Sequence, residues 1–99
     1  MADDVENAPN IGKVLGRKLR TAGIATAAEL LALGDAEAFR RLTRLCPEEA
    51  CSHTRLALAG AVRGVRWRTL PRTLRDQLLK EAEAAASEAP PSRAPGDAA

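Results

Sequence analysis

Pro9-Asn10-Ile11-Gly12-Lys13-Val14-Leu15-Gly16-Arg17-Lys18-Leu19-Arg20-Thr21-Ala22-Gly23-Ile24 encodes a turn, a basic helix and a stop in one stretch. Ile11, Val14, Leu15, Leu19 and Ala22 recur at helical spacing, which predicts one face turned toward a core. Asn10 stands where its side chain would cap the first turn by accepting from an unpaired N–H. Gly23 ends the helix, because without a Cβ it takes up the left-handed conformation common just past a helix terminus, and Ile24 then folds back onto the last turn.

Downstream, the same punctuation recurs. Thr26-Ala27-Ala28-Glu29 has the capping-box pattern, in which hydroxyl and carboxylate each satisfy a backbone N–H, and it predicts a short second helix to about Leu33. Gly34-Asp35 stops that helix and caps a third, which turns Ala38, Phe39, Leu42 and Leu45 inward and ends near Leu45. Pro47 suits the first position of a fourth helix, and Glu48 and Glu49 complement the positive end of its dipole. That helix is expected to run to about Arg63, with an inner stripe of Ala50, Thr54, Ala57, Leu58, Ala61 and Val65 and a stop at Gly64. Pro71 opens a fifth helix with Leu74, Leu78, Ala82 and Ala85 on one face. From Ser87 the composition turns to Ala, Pro, Ser and Gly, which predicts disorder. The organisation expected is a short, acidic, poorly ordered segment over 1–8 with at most one helical turn near Asp3 to Asn7, a helical domain over 9–86, and a disordered tail over 87–99.

Ninety-nine residues suit one domain with a simple core. The only aromatics are Phe39 and Trp67, so the usual strand formers are scarce while Ala, Leu, Arg and Glu dominate. The fold class expected is all-α, a compact bundle of about five short helices. No apolar run approaches the roughly 20 residues that span a bilayer, and the acidic start lacks the layout of a signal peptide, so a cytoplasmic protein without membrane contact is expected. Cys46 and Cys51 are too few for a framework of bridges and read as free thiols. The formal charge of +2 conceals a segregation: residues 10–80 hold 14 of the 15 Lys and Arg and only six acids, while both ends are acidic. Such a basic centre can attract an anionic partner, nucleic acid being the obvious one.

Pro9-Asn10-Ile11-Gly12-Lys13-Val14-Leu15, Lys18-Leu19 and Ala22-Gly23-Ile24 together resemble a helix-hairpin-helix (SAM-like) element. With Glu29-Leu30, Leu33-Gly34, Ala38-Phe39, Arg41-Leu42, Gly64-Val65-Arg66-Trp67 and Leu70-Pro71, the chain resembles the C-terminal domain of the TfoX/Sxy family of bacterial competence regulators, over roughly residues 8–83. The resemblance implies a compact helical fold and, for the founding members, a role in switching on DNA-uptake genes alongside the cyclic-AMP receptor protein. Those regulators carry a separate N-terminal domain, and this chain is expected to be the C-terminal domain standing alone. Asn10 occupies the place of the first glycine of the Gly-x-Gly found in nucleic-acid-binding hairpins, and a Cβ there restricts backbone approach to phosphate.

For the hairpin, the functional reading is that N–H groups around Asn10, Ile11, Gly12 and Lys13 meet a phosphate at the positive end of the helix, reading no bases. Lys13, Arg17 and Arg20 share one face of that helix and could track the same backbone. The competing reading is a packed joint with a solvated charged face. Arg63, Arg66, Arg68, Arg72 and Arg75 crowd around Trp67, where the indole either stacks on a base or, as a chain with two aromatics favours, anchors the joint between the fourth and fifth helices. The arginines, Arg66, Arg68 and Arg72 above all, remain candidate phosphate contacts in either case.

Cys46, Cys51 and His53 lack the close pairs and fourth ligand of a zinc site, so no metal is expected; Cys51 is expected to be a packing residue, Cys46 to sit at a helix start and His53 to be exposed. Lys13 and Asp35 loosely imitate the Lys and Asp of base-excision glycosylases, but a chain this size has no room to enclose a flipped base. No Ser-His-Asp set, phosphate loop or paired-carboxylate cleft is present either. The expectation is therefore a binding module with no catalytic residues, cofactor or small-molecule substrate. It would act through protein contacts or weak, sequence-independent contacts to duplex DNA. The alternative is a structural or self-associating helical domain with no nucleic-acid role.

Overall fold

Two of the glycine stops are built as the same chain reversal. At the first, Gly23 has φ +88° and donates its N–H to Arg20 O, while Ile24 N–H reaches Leu19 O at 2.8 Å. At the second, Gly64 has φ +72° and bonds Ala61 O, while Val65 N–H reaches Gly60 O at 2.9 Å. Each pair satisfies the last carbonyls of a helix and turns the chain back, and Ile24 is thereby buried against its own helix. The capping box forms as read, with Glu29 N–H donating to Thr26 Oγ1 and the Glu29 carboxylate accepting from Thr26 N–H.

The structure, a computed structural model, describes residues 3–88. Its five helices are α1 (Gly12–Thr21), α2 (Ala27–Leu33), α3 (Asp35–Leu45), α4 (Ser52–Arg63) and α5 (Arg72–Glu88), with single 3₁₀ turns at Val5–Asn7, Pro47–Glu49 and Trp67–Thr69. The fold is all-α. Helix α4 is its spine, packed between α3 and α5. Every residue from Thr54 to Gly60 is buried, so α4 is enclosed on all sides instead of along the single stripe expected. Val65, the last member of that stripe, lies past the helix end and is exposed.

Two apolar clusters meet at this spine. Val5, Ile11, Leu19, Ile24, Leu30, Phe39, Leu42 and Leu58 form the larger one, and Leu56, Ala59, Leu70 and Leu78, flanked by Trp67 and Leu74, the smaller. Leu74, Leu78, Ala82 and Ala85 of α5 face inward as the period predicts. Two further residues expected inside are not. Val14 is 68% and Leu45 57% exposed, because α1 is covered on one narrow flank and α3 ends where the chain leaves the core.

The fourth helix begins at Ser52, not Pro47. Pro47–Glu49 forms a separate turn, and its acids serve tertiary contacts instead of the helix dipole: the Glu49 carboxylate accepts from Lys18 Nζ and from Thr54 Oγ1, drawing α1 onto the start of α4. Cys51 occupies the N-cap position of α4 and is exposed, while Cys46 packs half-buried against the larger cluster, the reverse of the placement expected. His53 is exposed.

The N-terminal segment is part of the body. Val5 is fully buried, its N–H donates to Ala25 O, and Ala27 N–H donates to Asp3 O, so the segment pairs with the loop before α2. Asp4 and Glu6 both reach Arg20, at 2.6 and 3.5 Å. The turn lies so close to α1 that a Cβ on Gly16 would fall 2.6 Å from Glu6 Cβ. Charge composition misled here, because three acids among eight residues hide one buried valine. At the other end α5 runs through Ser87 to Glu88, past the expected onset of disorder, and the remainder of the predicted tail lies outside the described residues.

Asp35 does not cap α3 either. Gly34 is the cap residue, and the Asp35 carboxylate is taken by Arg55, whose guanidinium is almost wholly buried. Arg55 Nη1 lies 2.7 Å from Asp35 Oδ2, Nη2 lies 2.8 Å from Glu81 Oε1, and the guanidinium carbon sits 5.7 Å from the centre of the Phe39 ring. One buried cation thus joins the start of α3, the middle of α4 and the second half of α5. Such a triad rarely adds much net stability, yet removing one member strands the others. Arg55→Met should destabilise the domain by about 3–5 kcal/mol, read as a lower urea midpoint.

Burial pushes the Asp35 carboxyl upward, but the Arg55 hydrogen bond and charge outweigh it and hold the group below its usual range. Glu49 is lowered likewise, burial being overcome by Lys18 and Thr54. Groups depressed in the folded state stabilise it above their unfolded values, about pH 4, and that stability is lost as pH falls through the folded values. Urea midpoints should therefore be level from about pH 5 to 7 and fall below about pH 4, with a shallower acid fall in Asp35→Asn. Gly16→Ala should cost roughly 1–3 kcal/mol at neutral pH, measured as a lower midpoint of helix loss by circular dichroism.

Candidate functional site

Asn10 is the hinge of the candidate site, and it works differently from a cap. Ile11 occupies the N-cap position of α1 with no side-chain hydrogen bond. Asn10 has φ +72°, a left-handed backbone that asparagine tolerates better than most residues and that glycine would supply in a Gly-x-Gly hairpin. Its side chain is thereby aimed away from the first turn and across the molecule. Nδ2 donates to Val65 O at 2.9 Å and to Ala57 O at 3.4 Å, and Oδ1 accepts from Trp67 N–H at 3.2 Å. The amide satisfies the chain where it leaves α4.

Gly60 makes room for this contact. A Cβ there would lie 2.5 Å from Asn10 Nδ2 and 2.7 Å from Val65 O. The turn before α1 and the segment Val65–Arg68 are consequently held side by side, although more than fifty residues separate them. The two basic stretches singled out from the sequence become neighbours through a single amide.

The cations divide into those spent inside the fold and those left outside. Lys13 and Arg17 are exposed and make no ion pair among the described residues. Arg20 shares their helix but is held by Asp4 and Glu6, so it does not extend the face as expected. Lys18 is held by Glu48 and Glu49, and the Glu49 hydrogen bond raises its pKa further. Arg63 donates to Ala59 O at 2.9 Å. Arg66 is exposed and unpaired among the described residues, and Arg68 is exposed with its guanidinium carbon 5.6 Å from the centre of the Trp67 ring. Arg72 is exposed on the first turn of α5 with Asp76 at 4.0 Å, a weak surface pair.

Trp67 packs half-buried against the smaller cluster beside Leu74, and Arg68 covers a face of its ring. It anchors the joint between α4 and α5. Lys13, Arg17, Arg66 and Arg68 remain exposed and without an ion pair among the described residues, as do Arg44 and Lys80 elsewhere on the surface. Ile11, expected beside them, is a core residue.

Sequence reasoning missed two participants. Arg55 is not singled out by charge or motif, and the signal available is its isolation in the apolar run Thr54 to Val62. The reach of Asn10 had no local signal beyond an asparagine in a glycine position. Asn10→Ala should lower the thermal midpoint more than Asn10→Gly, by the order of 1 kcal/mol, since both lose the hydrogen bonds but only alanine strains the left-handed backbone. Parallel thermal melts measure that difference.

Comparison with known proteins places this geometry. No curated protein matches the chain. Two crystal structures from Listeria monocytogenes do, described as an uncharacterized protein in a triclinic form and a protein of unknown function in a tetragonal form. Each is 38% identical over 82% of this chain, covering 91% of the first with a TM-score of 0.75 and 98% of the second with a TM-score of 0.74. Residues 1–82 match the TfoX C-terminal domain, a span that takes in the buried N-terminal turn, the hairpin, the α4 spine and most of α5. The chain belongs to the TfoX C-terminal domain family.

Proposed function

We propose that this domain is a non-enzymatic, cytoplasmic binding module that contacts the phosphate backbone of duplex DNA without reading sequence, and that it serves a regulatory role through that contact. The observation that supports this reading is the Asn10 clamp, which holds the turn opening α1, the helix that carries the exposed Lys13 and Arg17, against the segment that carries the exposed Arg66 and Arg68. Backbone contacts need clustered, unpaired cations more than they need shape, and four such groups give weak, strongly salt-dependent binding. Covering of the Trp67 ring by Arg68 argues against stacking on unpaired bases.

A second reading, a structural or self-associating module bound to protein partners, is favoured by one specific feature. Val14, Leu31 and Leu45 are exposed, and Leu31 adjoins Ala32 of a shallow groove that Ile24 and Leu33 also line. Under that reading apolar contacts carry the binding, and the charged face is only solvated.

Both readings are decided on duplex DNA of arbitrary sequence, by fluorescence anisotropy at 20–200 mM salt. The DNA reading expects micromolar affinity at low salt and a slope of log K on log salt of about −3.6 for four phosphate contacts. Reversal at Lys13→Glu and Arg17→Glu should abolish it while leaving helix content unchanged. Absence of any salt-sensitive binding by the intact chain overturns it. Arg20→Glu belongs to a different class, since it breaks the tie to Asp4 and Glu6 and should lower the melting temperature.

A further inference from the structure

We infer that Asn10 is a positioning residue for this surface, coupling the hairpin cations Lys13 and Arg17 to Arg66 and Arg68 so that both pairs engage one stretch of phosphate backbone at once. The inference rests on the DNA reading above and adds to it a division of labour that composition and family membership do not carry.

Arg66 lies between the two residues that Asn10 holds, Val65 through its carbonyl and Trp67 through its N–H, and Arg68 follows immediately. The 3₁₀ turn Trp67–Thr69 closes through Thr69 N–H to Arg66 O at 3.0 Å and Leu70 N–H to Trp67 O at 3.1 Å. Within the turn the chain is self-bonded. Val65 N–H to Gly60 O and the packing of Trp67 and Leu70 seat the turn on α4, and the Asn10 amide supplies the hydrogen bonds that cross from the hairpin to it. Gly60 underlies this crossing and leaves the amide no alternative space. With the clamp closed, the second pair of cations is presented at high effective concentration once the first has bound, and affinity gains without any contact by Asn10 itself. With it open, the two stretches stay in one folded body but are less firmly fixed to each other, and the entropy of fixing them falls on the binding step.

A double-mutant cycle on DNA binding tests this. Asn10→Gly keeps the left-handed backbone and deletes the three hydrogen bonds; Arg66→Ala with Arg68→Ala deletes the cations it is held to position. The inference expects Asn10→Gly to weaken binding about tenfold and to move the salt slope toward that of two contacts. In the Arg66→Ala, Arg68→Ala background it should change neither affinity nor slope. Equal losses in both backgrounds would show that Asn10 acts on the hairpin or on general stability, which overturns the inference and leaves the DNA reading standing. Failure of the intact chain to bind DNA at all overturns both.

Helix content by circular dichroism establishes that each variant is folded at the temperature of the titration. Should Asn10→Gly fail that check, Asn10→Asp takes its place in the cycle. It keeps an acceptor for Trp67 N–H but turns a carboxylate oxygen toward the Val65 carbonyl, and its own repulsion from phosphate appears in both backgrounds and cancels. Trp67, the chain's one tryptophan, adds an independent readout. Its emission should change on DNA binding in the parent and lose that change in the Asn10 variant, whereas an unchanged response counts against the coupling.

Discussion

The close approach at Gly60 is the contact on which the arrangement of this domain turns. Helix α4 is buried on all sides from Thr54 to Gly60, and where the chain leaves it the turn before α1 comes close. A hydrogen at position 60 admits the Asn10 amide, which supplies donors to Ala57 and Val65 and an acceptor to Trp67. One side chain thus pairs with a carbonyl of the spine and with two backbone groups of the segment that follows it, fixing the hairpin against both. Small residues elsewhere serve the same approach: Ala57 and Ala59 on α4, and Gly16 under the N-terminal turn.

Charge is distributed according to this packing more than according to the helical wheels. Arg55 is inside, joined to Asp35 and Glu81 and lying over Phe39. Arg20 ties down the acidic N-terminal turn, and Lys18 ties down the turn before α4. Several members of the basic centre therefore neutralise acids that look remote in sequence, and the field available to a partner comes from fewer groups than the composition implies. The paired cations hold the elements in place, and Arg66 and Arg68, exposed and without an ion pair among the described residues, lie in the segment that Asn10 holds against the hairpin.

The two extremities show the same balance between composition and packing. Three acids near the start describe a solvated tail if only charge is counted, yet one valine with a deep contact and two backbone hydrogen bonds to the loop before α2 is enough to order the turn. On the opposite side α5 continues to Glu88 because alanine and glutamate favour helix and Ala82 and Ala85 still find the core. Local composition sets what a segment tolerates, and whether an apolar surface lies within reach decides what it does.

By itself the sequence determined the helix stops, the capping box, the inward face of the last helix and the family. Glycine stops at Gly23 and Gly64, the Thr26–Glu29 capping box and the inward face of α5 are local effects of backbone conformation, capping chemistry and period, so they are legible within a few residues of each position. Tertiary structure alone decided that Pro47–Glu49 is a turn instead of a helix start, that Val14 and Leu45 face solvent, that Arg55 lies inside, and which cations remain to meet a partner. Each depends on groups well separated along the chain coming together, and neither a periodic pattern nor a charge count contains that distance. Asn10 lies on the boundary: its place in the hairpin could be read from its neighbours, but its partners at Ala57, Val65 and Trp67 exist only once α4 has packed beneath it.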